Sequence, residues 1–411
     1  MFLIGAFVRR KPIGVALMFG AILGAVVNGD GIPVRHLVEG AFTYFDPILI
    51  IFTAMLFMRV IEENGSLGAI ARLIIERLGS RPALMLTVVT LFIMFPAMLT
   101  GITTTSVLTT GALIAPVLIA LGIPRLKTAA MVALVSMMGM IAPPINLLVM
   151  LIGQGVDMPY IGFEGPLLLI SLPLALFVSF TTAYRRLRNA DIATALEHLP
   201  RPDTAQTPLR LFLPLVVVFS IMALVRLFPR YVPDIGAPLI FIIGAAVGML
   251  AGKKVRFFGA SYRALLTALP VLGLLAGIGM FLQIMTLTGV RGLLVVTVLS
   301  LPITLTYVGL LISLPAFGGV SAFASAMVFG VPFLLSLLGR NEIVTCCGIA
   351  LLAGLGDVIP PSAIEARFAA QIVGEKNFLR VVLKCLPFVA VFALAALTVI
   401  RWADVLAFSV P

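Results

Sequence analysis

The sequence predicts an all-α polytopic membrane protein, built as an inverted-topology repeat with two re-entrant hairpins and two broken helices. Three observations carry the prediction. Hydrophobic residues make up 61% of the 411 and charged residues only 11%, with a mean hydropathy of +1.19. An ordinary soluble domain carries about 25% charged residues, so this chain cannot cover a water-facing surface. A series of glycines and prolines recurs in order in the second half, and the basic residues flanking the first span change sides in its counterpart.

Many segments approach the ~20 apolar residues that cross a bilayer core, and the short alternating strands of an outer-membrane barrel do not occur. The first apolar stretch runs into further spans without an Ala-x-Ala-like site and reads as a retained helix. The net charge of +11 resides in short loops between apolar segments. That is the positive-inside pattern, which argues for membrane topology and against nucleic-acid binding. With only two histidines, His36 and His198, and three cysteines, Cys346, Cys347 and Cys385, in or beside apolar runs, hydrolytic triads and zinc sites have little raw material. The chain is not expected to be an enzyme or to hold a cofactor.

Arg9, Arg10 and Lys11 precede a span at 12–28 and place the N-terminus in the cytoplasm. Val34, Leu37, Val38, Ala41, Phe42 and Phe45 fall at helical spacing opposite Arg35, His36 and Glu39, an amphipathic interfacial helix. Residues 47–63 return to Arg59, Glu62 and Glu63, read as a membrane boundary. Leu67, Ile70, Ala71, Ile74, Ile75 and Leu78 form a second amphipathic face. Between Arg81 and Arg125 the chain enters and returns around Gly101-Ile-Thr-Thr-Thr-Ser106. Length allows two spans or a hairpin at about 82–121. The polar tip favours the hairpin, because irregular backbone at membrane depth must sit against protein or a wet cavity. Residues 126–156 cross outward, broken at Pro143-Pro144, since proline removes a donor and clashes with the preceding turn. Residues 165–184 return to an Arg-rich cytoplasmic linker at 185–210, which separates a first repeat at 1–184 from a second at 211–411.

Gly20 and Gly24 match Gly244 and Gly248, and Gly65 and Gly68 match Gly289 and Gly292, at an offset of 224. Gly101, Gly122, Gly139, Pro143 and Pro144 then match Gly318, Gly339, Gly356, Pro360 and Pro361 at 217. The second copy therefore has a hairpin at about 293–338 and a broken helix at about 341–376. Lys11 precedes the first span, whereas Lys253, Lys254 and Arg256 follow its counterpart at 235–252. The copies thus point in opposite directions, as in secondary transporters whose sites form at the repeat interface from discontinuous helices.

The broken places supply the candidate site. One half consists of Gly101, Thr103, Thr104, Thr105, Ser106, Pro143, Pro144 and Asn146. The other consists of Gly318, Gly319, Ser321, Ser325, Asp357, Pro360, Pro361 and Ser362. Half-helix N-termini favour an anion, while hydroxyls and carbonyls can coordinate sodium. Thr104, Ser321 and nearby carbonyls are the Na⁺ candidates. Taken singly, such a hydroxyl more often bonds its own helix or a neighbour. Asp357 is read either as a helix-end or cation-ligand residue or as facing a solvated cavity. Glu365 is a lesser candidate of the same kind, and Gln154 and Gln283 read as polar links between helices. No Gly-x-x-x-x-Gly-Lys-Ser/Thr loop occurs, so an ion gradient rather than ATP is the expected driving force.

These features resemble the large membrane subunit of TRAP transporters, within the wider ion transporter superfamily. The likeness runs through Asp46-Pro47-Ile-Leu-Ile, Asn64-Gly65-Ser-Leu-Gly68, Gly101-Ile-Thr-Thr-Thr-Ser106, Ile114-Ala-Pro116, Gly122-Ile-Pro124, Ile141-Ala-Pro-Pro-Ile145 and Ile359-Pro-Pro-Ser362. The resemblance implies an elevator-type, sodium-coupled importer of a small organic anion in a bacterial or archaeal inner membrane. It also implies a small membrane subunit and a periplasmic solute-binding protein, both as separate chains. The alternative is a stand-alone carboxylate symporter or Na⁺/H⁺ antiporter of the same superfamily.

Overall fold

A computed structural model describes residues 12–188, 199, 208–228, 231–251 and 253–409. The basic flank at Arg9 to Lys11, His198 and most of the 185–210 linker lie outside the described residues. In chain order the first half holds α1 (Ile13–Asn28), α2 (Val34–Phe42), α3 (Phe45–Glu63), α4 (Ser66–Leu78) and α5 (Pro82–Thr100). It continues with α6 (Thr103–Ala120), α7 (Arg125–Ile141), α8 (Leu147–Gln154) and α9 (Glu164–Leu187). The second half holds α10 (Pro208–Leu227), α11 (Ala237–Ala251), α12 (Phe257–Leu287), α13 (Val290–Leu299) and α14 (Ile303–Gly318). It ends with α15 (Ala322–Ser336), α16 (Glu342–Gly354), α17 (Ile364–Ile372) and α18 (Phe378–Arg401). Among the described residues six helices are long and apolar enough to cross a membrane, and α2 and α3 make a seventh if counted as one span bent by 44°.

The helices sort into two groups. In one, α12 packs against α1, α2 and α3, and α11 packs between α3 and α10. Glycine makes the first of these contacts possible: a Cβ on Gly14 would lie 2.3 Å from the Gly273 carbonyl oxygen, and one on Gly279 2.0 Å from that of Gly40. Such small-residue contacts let membrane helices approach closely where lipid offers no hydrophobic drive. In the other group, α7 is packed by α5, α9, α17 and α18, and α16 by α14 and α18. The amphipathic helix α4 links the two. It buries Leu67, Ile70, Ala71, Ile74 and Ile75 and carries the Arg72–Glu76 ion pair on its outer side. In α2 the apolar residues divide instead: Leu37 packs with Ala21, Ala25 and Ile284, while Val34, Val38 and Phe42 stay exposed.

The repeat is visible in local geometry. Each hairpin consists of a helix (α5 or α14), a polar tip and a second helix that starts with four α-helical residues. Five π-helical residues follow, at Val107–Gly111 and at Ala326–Gly330. Each broken helix lies against the first arm of its own hairpin through a glycine. A Cβ on Gly139 would meet the Met94 carbonyl oxygen at 2.5 Å, and one on Gly356 would come within 1.9 Å of the Gly318 carbonyl carbon. The Pro143-Pro144 and Pro360-Pro361 peptide bonds are both cis.

Candidate functional site

The break after α7 is held by side chains, as buried irregular backbone requires. Asn146, fully buried, caps α8 by accepting from the Val149 amide at 3.0 Å, and its Nδ2 donates back to the Ile141 carbonyl at 2.8 Å. The Tyr160 hydroxyl accepts from the Asn146 amide and donates to the Pro144 carbonyl, each at 3.1 Å, and the Ile145 amide reaches Met98 of α5. Asn146 is therefore fully engaged as a strut. In the second break the Ser362 amide donates to the Gly319 carbonyl at 2.9 Å. Ala363 takes a left-handed conformation (φ 43°) that turns the chain into α17.

At the first tip Gly101 adopts φ 65° and ends α5; a Cβ there would strike Leu147 of α8 at 2.4 Å. The Ser106 hydroxyl donates to the Ile93 carbonyl, and at the matching place in the second hairpin Ser325 donates to Leu314 at 2.7 Å. These two serines clamp the arms of their own hairpins. The three threonines before Ser106 differ. Thr103 Oγ1 lies 3.2 Å from Met140 Sδ, Thr104 Oγ1 donates to Glu365 Oε1 at 3.2 Å, and Thr105 Oγ1 is buried without a partner. At the second tip Ser321 caps α15 through the Ala324 amide at 3.3 Å. Asp357, in the turn after α16, lines the same cavity as Thr103 and Ala322.

These residues face a cavity of about 580 Å³ between the two helix groups, within the range of small-molecule sites. Thr103, Thr104, Thr105, Ser321, Asp357 and Glu365 line one wall. The other comes from α1, α3 and α12, with Met55, Met58, Arg59, Thr267 and Leu274 among its residues. Of the sixteen predicted site residues, Gly101, Ser106, Pro143, Pro144, Asn146, Gly318, Gly319, Ser325, Pro360, Pro361 and Ser362 do not line the cavity; they shape the tips and breaks around it. The first broken helix reaches the cavity through Met140 alone. Glu365 lines the cavity as well, and its sequence signal is an acid in the first turn of an alanine-rich helix eight residues past Asp357. Arg59 and Glu62, read as a boundary, also line the cavity.

A family model described as "Tripartite ATP-independent periplasmic transporter, DctM component" matches residues 1–404. The chain belongs to this family. It is thus the large component of a TRAP transporter, a multi-pass membrane protein of a solute-transport system. Its structure is similar to the crystal structure of the Alcanivorax borkumensis YdaH transporter, described as having an unusual topology, with a TM-score of 0.67 at 18% sequence identity. That likeness covers 97% of this chain and 99% of the other, and at this identity it speaks for the fold. No curated protein sequence matches the chain.

Proposed function

We propose that this TRAP large component drives Na⁺-coupled uptake of a small organic acid across the cytoplasmic membrane by an elevator motion. The observation that carries the reading is the cavity. One wall holds both hairpin tips and the turn after α16, and the opposite wall belongs to a separate helix group joined tightly by glycine contacts. A site built at such a boundary can be carried past a fixed partner, exposing the same residues to each side in turn. The cavity lining includes Pro12 at the start of α1 and Glu62 at the end of α3. The positive-inside pattern assigns this side to the cytoplasm, which makes the present conformation inward-open. Sodium would be held by hydroxyls and carbonyls of the tips, Thr104 and Ser321 first among them. A small membrane subunit would complete the fixed group, and a periplasmic binding protein would deliver the substrate.

Uptake by proteoliposomes holding both membrane subunits, supplied with the loaded binding protein under an imposed sodium gradient, tests this. Transport should need sodium and binding protein together, and Thr104→Ala or Ser321→Ala should abolish it while leaving folding intact. Flux from the large subunit alone would instead support the stand-alone symporter or antiporter. Normal uptake by both variants would remove the tips from the mechanism.

A further inference from the structure

The charges around the cavity are unequal. Its ionisable lining residues are Arg59, Glu62, Asp357 and Glu365. Arg59 is already engaged, donating to Glu62 Oε2 at 2.9 Å and to Thr267 Oγ1 at 3.3 Å. Among the described residues, the wall that holds the hydroxyls therefore presents two carboxyls and no cation. Asp357 shares that wall with Thr103 and Ala322. Glu365 is answered only in part. It is 3% exposed, its Oε1 accepts from Thr104, and its Oε2 is buried with no hydrogen-bond partner in the structure. Thr105 Oγ1, next to Thr104 on the same wall, is likewise buried and unpartnered.

A buried carboxyl oxygen left without a partner is destabilising, so the wall is built to receive a donor that arrives with the ligand. A plain carboxylate or dicarboxylate brings only further acceptors to a wall that already presents two carboxyls. An ammonium group brings N–H donors and the opposite charge. The unpartnered Thr105 hydroxyl offers what a carboxylate needs, an O–H donor.

We infer that the substrate is a zwitterion, an organic acid carrying an ammonium group, with the ammonium received at Glu365 Oε2 and the carboxylate at Thr105 Oγ1. This rests on the reading of the cavity as the site of organic-acid transport and narrows the substrate class. Glu365 is then the specificity-determining residue, and Thr104 positions its carboxylate by holding the other oxygen.

The test uses the purified full chain in lipid nanodiscs and reads thermal stabilisation by skeleton-matched probes. Glutamate is compared with glutarate, and 4-aminobutyrate with butyrate, each in sodium chloride and in choline chloride. At least one amino member should stabilise the wild type with an affinity about tenfold or more above its desamino partner, the size of one charge-assisted hydrogen bond. Glu365→Gln should erase that preference while leaving the shift produced by sodium alone. Equal or better stabilisation by the desamino acids overturns the inference, and so does a preference that survives in Glu365→Gln. Loss of the sodium-only shift in that variant also overturns it, marking Glu365 as an ion ligand. The wild-type comparison decides the ammonium question even if the variant fails to fold. Sodium-dependent binding of glutarate or butyrate alone would leave the organic-acid reading standing and remove only the zwitterion. No stabilisation by any of the four probes, with no response to sodium, counts against both.

Discussion

Single residues here divide between those that build the breaks and those that face the cavity. Gly356 belongs to the first kind. Its missing Cβ would sit 1.9 Å from backbone of Gly318, contact with main chain that cannot rotate away. Gly356→Ala should lower stability by at least the roughly 1–3 kcal/mol typical of overpacking. Gly292→Ala, within α13 and where a Cβ meets nothing within 4 Å, should not lower it and should raise it by up to about 1 kcal/mol; thermal unfolding in detergent compares them. Asn146→Ala should also be costly, because it removes a helix cap worth about 0.5–2 kcal/mol and leaves the Ile141 carbonyl without its donor. Asn377→Ala, which removes a cap at an exposed helix start, should cost less in the same assay. If the two asparagines prove equivalent, Asn146 is not the strut that its bonds describe.

At the scale of elements, the two helix groups touch again through residues outside the cavity lining. Gln154, closing α8, donates to the Thr43 carbonyl between α2 and α3 at 2.7 Å. Arg226 near the end of α10 pairs with Glu164 at the start of α9 and reaches the Tyr160 carbonyl. These contacts exist in the present conformation and must part if the groups slide. Arg226→Ala should therefore shift the resting population away from this conformation by no more than about 1 kcal/mol, the usual worth of a partly exposed pair. A cysteine at Leu108, which is exposed and lines the cavity, should be labelled more slowly in that background. An unchanged labelling rate would mean that the pair does not bias the equilibrium.

For the whole molecule, the elevator reading requires relative motion of the two groups. Cysteines replacing Met58 on α3 and Ile364 on α17 would both line the cavity, one on each helix group. Cross-linking them with a reducible bifunctional reagent should arrest uptake, and reduction should restore it. The native Cys346, Cys347 and Cys385 are all buried and should not compete for the reagent. Full uptake by the cross-linked protein would exclude a sliding motion between these walls.

How much of this was legible follows from where the information resides. Spans, breaks and tips are local: apolar length sets a crossing, Pro-Pro ends a helix, and a glycine with positive φ at residue 101 turns a hairpin, so each can be read from a few consecutive residues. The inverted repeat was legible as well, because paired glycines are needed wherever two backbones must meet and so recur with the fold. The roles of the hydroxyls were not. Ser106 and Thr105 are neighbours of similar chemistry, yet one clamps Ile93 and the other's hydroxyl is buried without a partner, a difference set by which side of α6 lies against α5. Glu365 and Arg59 are far apart in the chain and acquire meaning only when α17 and α3 form opposite walls. The sequence by itself determined the class, the spans and their broken places, since bilayer thickness and backbone hydrogen bonding act on short segments. Only the tertiary structure decided which polar atoms remain free to meet a ligand, because that depends on partners brought in from distant parts of the chain.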